Sequence, residues 1–141
     1  MADQTVSAKY VARDFFVYNA VFANLAAGAS ATYNLSINAD SDFQVEKLTY
    51  MADLSAAAET ASGLVIPLVT VQIQDSGSGR YLMDQATPVP NLFGTGQIPF
   101  VLKQPKIFVA RANIVVTVAN YSAVTAYNLR LSFIGSKLFL R

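Results

Sequence analysis

The chain has 141 residues and a formal net charge of +1, with 13% of its residues charged and neither cysteine nor histidine. This length allows one domain that buries about 68% of its unfolded surface around a single core, and the missing residue types exclude disulfides, Cys-His and Ser-His-Asp catalysis and histidine-ligated zinc. An ordinary soluble domain has about 25% charged residues, so this surface is unusually neutral, which is typical of surface that partners cover in an assembly.

The N-terminal quarter begins with a small, polar segment and continues with an apolar strand. We predict an N-terminal arm over residues 1–12 and a single domain over 13–141. In the strand at 13–25, apolar residues occupy both alternating faces: Phe15, Val17 and Val21 on one, and Phe16, Tyr18 and Phe22 on the other. Such a strand is either sandwiched between layers or has its outer face covered by another chain.

Three further strands follow in the first half of the chain. After a break at 26–28, residues 29–38 alternate between apolar and polar side chains, as a half-exposed antiparallel strand does. In the strand at 43–51 the alternation slips, which predicts a bulge near Glu46 and Lys47. The alanine-rich segment 52–63 is a short helical turn or a loop, and alternation resumes over 64–74.

The second half contains turns, a long loop and the clearest strand. Residues 75–79 predict a hairpin loop before a short run at 80–84, and the irregular 85–99 stretch is long enough to suggest a function. Short extended pieces at 100–102 and 107–109 flank a predicted turn at 103–106 around Pro105. In the last strand, 126–134, the large side chains share one face. We expect it to pair with the 113–119 run, and we expect Gly135 to bend the basic tail out of the domain.

The sum of these elements is about eight strands with turns every 8–12 residues and no clear helix. This pattern predicts an all-β fold, an antiparallel β-sandwich of jelly-roll type.

We predict neither an enzyme nor a bound cofactor. Paired carboxylates could hydrolyse glycosides, but the nine acids lie mostly in turns or near the N-terminus, and none lies in a strand flanked by aromatic residues in the manner of a sugar cleft. The Asn38–Asp42 stretch alternates oxygen ligands, but an EF-hand loop starting there needs Gly and Glu where Phe43 and Thr49 stand. It is therefore interpreted as a turn, and no metal is expected. No run approaches the ~20 apolar residues of a membrane span, so no membrane contact is expected.

Charge is distributed unevenly along the chain. Residues 1–84 hold all nine acids, whereas 85–141 hold six bases and no acid. Because the two halves neutralise one another on folding, and the isoelectric point of 7.9 lies below the value of about 9 typical of nucleic-acid binders, no nucleic acid is expected.

Several turns and strands together resemble a known class of protein. They are residues 38–43, 92–96 with Pro99, 116–122 and 131–139, and the likeness extends over roughly 28–141. The sequence is similar to small virion structural proteins of tailed bacteriophages, and most to capsid cement or decoration proteins with a jelly-roll fold. The resemblance rests on strand and turn patterns and carries over no catalytic residue.

The resemblance implies a protein that is made in the bacterial cytoplasm and binds the outside of an assembled capsid. Its partners would be the major capsid protein and further copies of itself, as a dimer or trimer at a symmetry position. A carbohydrate- or receptor-binding module and a head-completion or tail protein are the alternatives. The candidate interface residues are Tyr10, Phe16, Tyr18, Phe22, Leu92, Phe93, Arg130, Lys137, Phe139 and Arg141.

Overall fold

A computed structural model describes residues 10–54 and 66–140. Within them the chain forms nine strands and one four-residue helix. The strands are β1 (Tyr10–Leu25), β2 (Ser30–Ser36), β3 (Asp42–Leu54), β4 (Val69–Asp75), β5 (Arg80–Tyr81), β6 (Thr87–Pro88), β7 (Phe100–Phe108), β8 (Asn113–Asn120) and β9 (Tyr127–Leu140), and the helix is α1 (Val89–Leu92).

The strands form two antiparallel sheets between which the chain alternates. The first sheet has the order β1-β9-β3-β7, and the second has the order β2-β8-β4-β5, with the short β6 paired to β4. With β6 set aside, this is the strand order of a jelly roll, in which successive long strands cross from one sheet to the other. The predicted all-β jelly-roll sandwich is confirmed.

The core lies between the two sheets and is filled by alternate residues of each long strand. Leu129, Leu131 and Phe133 of β9 face Ile114, Val116 and Val118 of β8, and all six are fully or almost fully buried. Edge-to-face aromatic pairs, Tyr18 with Phe43 and Phe93 with Phe133, fill the space around them.

Two expectations about the last strand are wrong. β9 pairs with β1 and β3 rather than with the 113–119 run, because β8 belongs to the opposite sheet. Nor does the tail leave the sandwich: β9 continues through Gly135 to Leu140, and Leu138 is completely buried. Gly135 allows close approach instead, since a Cβ there would overlap the carbonyl oxygen of Gln44 on β3.

The bulge predicted on β3 is confirmed. The register slips between Val45 and Lys47 against both neighbouring strands, so Glu46 is the extra residue.

The predicted turn at 103–106 is instead part of the edge strand β7. The pairing with β3 jumps from Lys106 opposite Val45 to Val101 opposite Lys47, which leaves the residues around Pro105 without a ladder partner on β3. A proline is tolerated there because an edge strand does not need every backbone N–H.

The ends of two other predicted segments also shift. β1 begins at Tyr10, inside the predicted arm, and residues 1–9 lie outside the described part of the chain. β3 continues to Leu54, and the rest of the predicted alanine-rich segment lies outside the described residues as well. The long 85–99 stretch contains β6 and α1 and contributes Val89 and Phe93 to the core.

Candidate functional site

The strand registers bring ten outward side chains of the first sheet together into one surface, which we call the outer face. Residues that lie directly opposite one another on β1, β9 and β3 form a row across the sheet, and the side chains of one row point to the same side of it. Its members are Phe15, Val17, Asn19 and Val21 of β1, Arg130, Ser132 and Ile134 of β9, and Lys47, Thr49 and Met51 of β3.

Large apolar side chains on the outer face are exposed to solvent. Phe15 is 76% exposed, Met51 54% and Val21 43%. The charged members are the basic residues Lys47 and Arg130, and the acidic Asp53 lies at the edge of the face, two residues beyond Met51 on β3. A surface that exposes apolar groups around a few charges has the composition of a protein–protein contact.

The second sheet presents a different outward surface. Its strands β2, β4 and β8 direct polar, uncharged side chains outward, such as exposed Thr32 and half-buried Gln72 and Thr117, and the hydroxyls of Thr32 and Thr117 lie 3.5 Å apart. This surface is suited to contact with water, so the two sheets of the sandwich differ in what they can bind.

A groove runs across the middle of the outer face. Val21, Met51 and Arg130 line both of its halves, which have volumes of about 290 Å³ and 680 Å³. In the larger half, the Ser132 hydroxyl donates a hydrogen bond to Asn19 Oδ1 at 2.7 Å. The groove therefore combines an apolar floor, the Arg130 guanidinium, the Asp53 carboxylate and several neutral polar groups.

The wall of the larger half is the turn at Thr95 and Gly96, and backbone pairing fixes its position. Gly94 donates its N–H to the Leu48 carbonyl at 3.0 Å and accepts the N–H of Tyr50 at 2.8 Å, which extends the sheet beyond β3. A side chain at position 94 would collide with the backbone of Pro99 and Phe100, so the approach requires glycine.

Of the predicted interface residues, only Arg130 is exposed on the outer face. Even-numbered residues of β1 face the second sheet, so Tyr18 and Phe22 are buried in the core and Phe16 packs against it. Phe93 and Lys137 are buried too, while Leu92 and Phe139 are half-buried. The assignment of the buried side chains to an exposed contact is wrong, namely that of Tyr18, Phe22, Phe93 and Lys137. For half-buried Phe16, Leu92 and Phe139 the assignment stays a prediction, and the side chains of Tyr10 and Arg141 lie outside the described ones.

The sequence analysis did not identify Phe15, Val21 and Met51 as exposed residues of the outer face. Both faces of β1 are apolar, so periodicity alone does not say which face is outside. The signal that distinguishes them is the position of Arg13 and Asn19, which lie on the same face as Phe15 and Val17.

The acidic turn before β3 uses its carboxylates within the fold. Asp40 forms an ion pair with Lys137, and Asp42 accepts the N–H of Ala110 at 2.8 Å. Over residues 10–54 and 66–140, no group of three or more acidic residues is placed to hold a metal ion. Nor does this part of the chain include a helix long and apolar enough to cross a membrane.

The chain was compared with protein-family models, with curated proteins and with solved structures. None of the three comparisons finds a match. The outer face is therefore interpreted from its own geometry and chemistry.

Proposed function

We propose that this chain is a non-enzymatic structural protein that binds the outside of an assembled phage capsid through the outer face of its first sheet. The observation that carries the proposal is the exposure of Phe15, Val21 and Met51 on one surface beside Arg130 and Lys47. Covering such side chains is favourable by about 25 cal/mol for each Å² of apolar area removed from water.

The charge pattern agrees with a protein partner. The two basic residues of the outer face fit a shell surface that carries carboxylates, and opposite charges at a contact steer association and fix its orientation. Neutral threonine, serine and asparagine side chains between them can be buried if the partner supplies hydrogen bonds.

The fold supports the proposal in a second way. The resemblance to capsid cement proteins implies a jelly roll, and the strand order agrees with that implication. A rigid sandwich presents its outer face without an ordering cost, and many weak contacts around a symmetric shell add up by avidity.

Co-sedimentation tests the proposal. The purified chain is mixed with empty capsids of the phage that encodes it and pelleted, and the capsids are then heated with and without it. We expect the chain to pellet with the capsids in a saturable amount and to raise their disruption temperature. A chain that stays in the supernatant at a concentration of about 100 μM, well above the range of a useful multivalent contact, would refute capsid binding.

The groove supports a second candidate, a carbohydrate-binding module. Asn19, Thr49, Arg130 and Ser132 offer hydrogen-bonding groups of the kind that sugar hydroxyls need, and half-buried Tyr50 lines the same groove. A glycan array distinguishes the two functions: selective glycan binding that Ser132→Ala and Arg130→Ala abolish favours this candidate over the capsid.

A further inference from the structure

We propose that two copies of this chain pair along the free edge of β1, antiparallel around a two-fold axis at Tyr18, so that the first sheet continues across the dimer. This proposal does not depend on capsid binding. It follows from the difference between the two sides of the sandwich and from the sequence of β1 itself.

The free edge of β1 lacks the usual protection of an edge strand. Within the described part of the chain, β1 lies at the end of the first sheet, and its register with β9 is uninterrupted from Ala12 to Phe22. That stretch contains no proline, glycine or lysine, and its charged residues are Arg13 and Asp14. A long, regular, apolar edge is a template for pairing with another strand.

The opposite side of the sandwich is protected. There β7 carries Lys103, Pro105 and Lys106 and loses its register with β3, and the second sheet ends in the two-residue strands β5 and β6. Charges, proline, irregular pairing and short strands are the devices that keep a sheet edge from pairing. The chain thus blocks one side and leaves the other open.

The core is also incompletely covered on the open side. β1 and β2 lie against each other there, and the rings of Phe22 and Tyr33 are 6.2 Å apart. Phe16, Ala31 and Tyr33 face inward but stay half-buried, because residues 10–54 and 66–140 place no further strand beside the two sheets there. A second copy placed at this side would cover them.

An axis at Tyr18 opposes the two exposed, outward apolar side chains that lie within the uninterrupted part of β1, Phe15 and Val21. Outward residues must oppose outward residues in a continuous sheet, so odd-numbered positions oppose odd-numbered ones. An axis at Tyr18 places Phe15 opposite Val21 of the second copy, which pairs two exposed apolar side chains and sets no like charges opposite each other. An axis one residue earlier would place Phe15 opposite Asn19. Axes at Phe16 and at Asn19 would place Val21 opposite Val11 and Phe15 opposite Ala23, and both of these partners lie where the register of β1 is irregular.

The choice of a second copy as occupant rests on this self-complementarity. Because the axis is perpendicular to the sheet, both outer faces of the dimer point in the same direction. The contact is then isologous and closed: each copy pairs its β1 edge with that of the other, and no edge of β1 is left from which a filament could grow.

A matched pair of charge variants tests both the surface and the register. Phe15→Lys with Val21→Lys places two lysines opposite each other across the axis, whereas Phe15→Glu with Val21→Lys places a carboxylate opposite a lysine. The variants share the substitution beside Arg130 and differ only in the charge at position 15. Within one copy, positions 15 and 21 lie about 20 Å apart along the strand, so they do not pair.

The readout is the mass of the full chain by sedimentation velocity over a range of concentrations. We expect the unaltered chain to reach twice its 15.2 kDa mass, the double-lysine variant to weaken the dimer at least about tenfold, and the glutamate–lysine variant to recover most of that loss. Val101→Lys on β7 is the control and should leave the dimer unchanged.

Three results would overturn the proposal. They are a chain that stays monomeric at about 1 mM, a dimer that the double-lysine variant leaves intact, and two charge variants that weaken the dimer equally. Melting temperatures close to that of the unaltered chain confirm that each variant is folded. A fourth result would identify another occupant of the edge: protection of β1 amides from hydrogen exchange that appears only when a different protein is present.

Discussion

Lys137 of β9 and Asp40 of the turn before β3 form an ion pair, with Lys137 Nζ 3.2 Å from Asp40 Oδ2. The ammonium also lies 4.1 Å from the centre of the Phe16 ring. These two contacts explain how a lysine is buried near the C-terminal end of β9. They also join the turn before β3 to both β9 and β1. Lys137 therefore stabilises the fold instead of contacting a partner.

Replacing Lys137 is expected to destabilise the protein. Lys137→Ala should lower the free energy of unfolding by about 2 kcal/mol, because it removes a cation–π contact, an ion pair and a packed aliphatic stem. Asp40→Asn should cost only about 0.5 kcal/mol, since the Asp40 side chain is 54% exposed and solvent screens the pair. Urea unfolding measures both values. Equal losses from the two variants would show that the ion pair, rather than the ring and the stem, stabilises this corner.

Asn120 is expected to be the most sensitive polar residue of the core. Its amide Nδ2 donates to the carbonyls of Leu25 at 3.0 Å and Thr125 at 2.8 Å, and its Oδ1 accepts the N–H of Ser122 at 2.9 Å. Asn120→Asp replaces both donors with an acceptor, so we expect a loss of about 3 kcal/mol. The control Asn34→Asp makes the same change at an exposed site and should stay within about 0.5 kcal/mol. Similar losses at the two positions would contradict this account.

Gly135 and Gly96 provide a test of close strand packing. Gly135→Ala forces a methyl group into the Gln44 carbonyl and should cost about 2 kcal/mol or more, whereas no atom lies within 4 Å of the equivalent position at Gly96. Gly96→Ala should therefore be neutral or slightly stabilising. Thermal melting of the two variants side by side measures the difference, and a Gly135→Ala protein as stable as its control would mean that β9 and β3 are less closely packed than described.

The sequence predicts local features of this fold better than its long-range contacts. Alternation of side chains identifies β2, β4 and β9, and the slip near Glu46 identifies the bulge, because both are properties of a few consecutive residues. Which strands pair is a property of the whole sandwich, so local alternation predicts the wrong neighbour for β9. Lys137 shows the same limit: its partner Asp40 lies 97 residues away, and no local pattern connects the two.

The candidate site was only partly predictable for a related reason. The neutral composition indicated a covered surface, and Arg130 was correctly placed on the polar side of β9. The choice between the two apolar faces of β1 depends on which of them meets the second sheet, and that is decided by packing against residues such as Tyr33 and Phe43.

The central claim is that the outer face binds a capsid, and one binding measurement tests it most directly. Met51→Glu introduces a carboxylate at the groove of the outer face, where Arg130 lies directly opposite and keeps the sheet stable. Thr117→Glu introduces the same group on the outward surface of the second sheet. We expect Met51→Glu to weaken co-sedimentation with empty capsids at least about tenfold, because a buried charge must lose its hydration. Thr117→Glu should bind like the unaltered chain, and the reverse pattern, or equal binding by both variants, would contradict the claim.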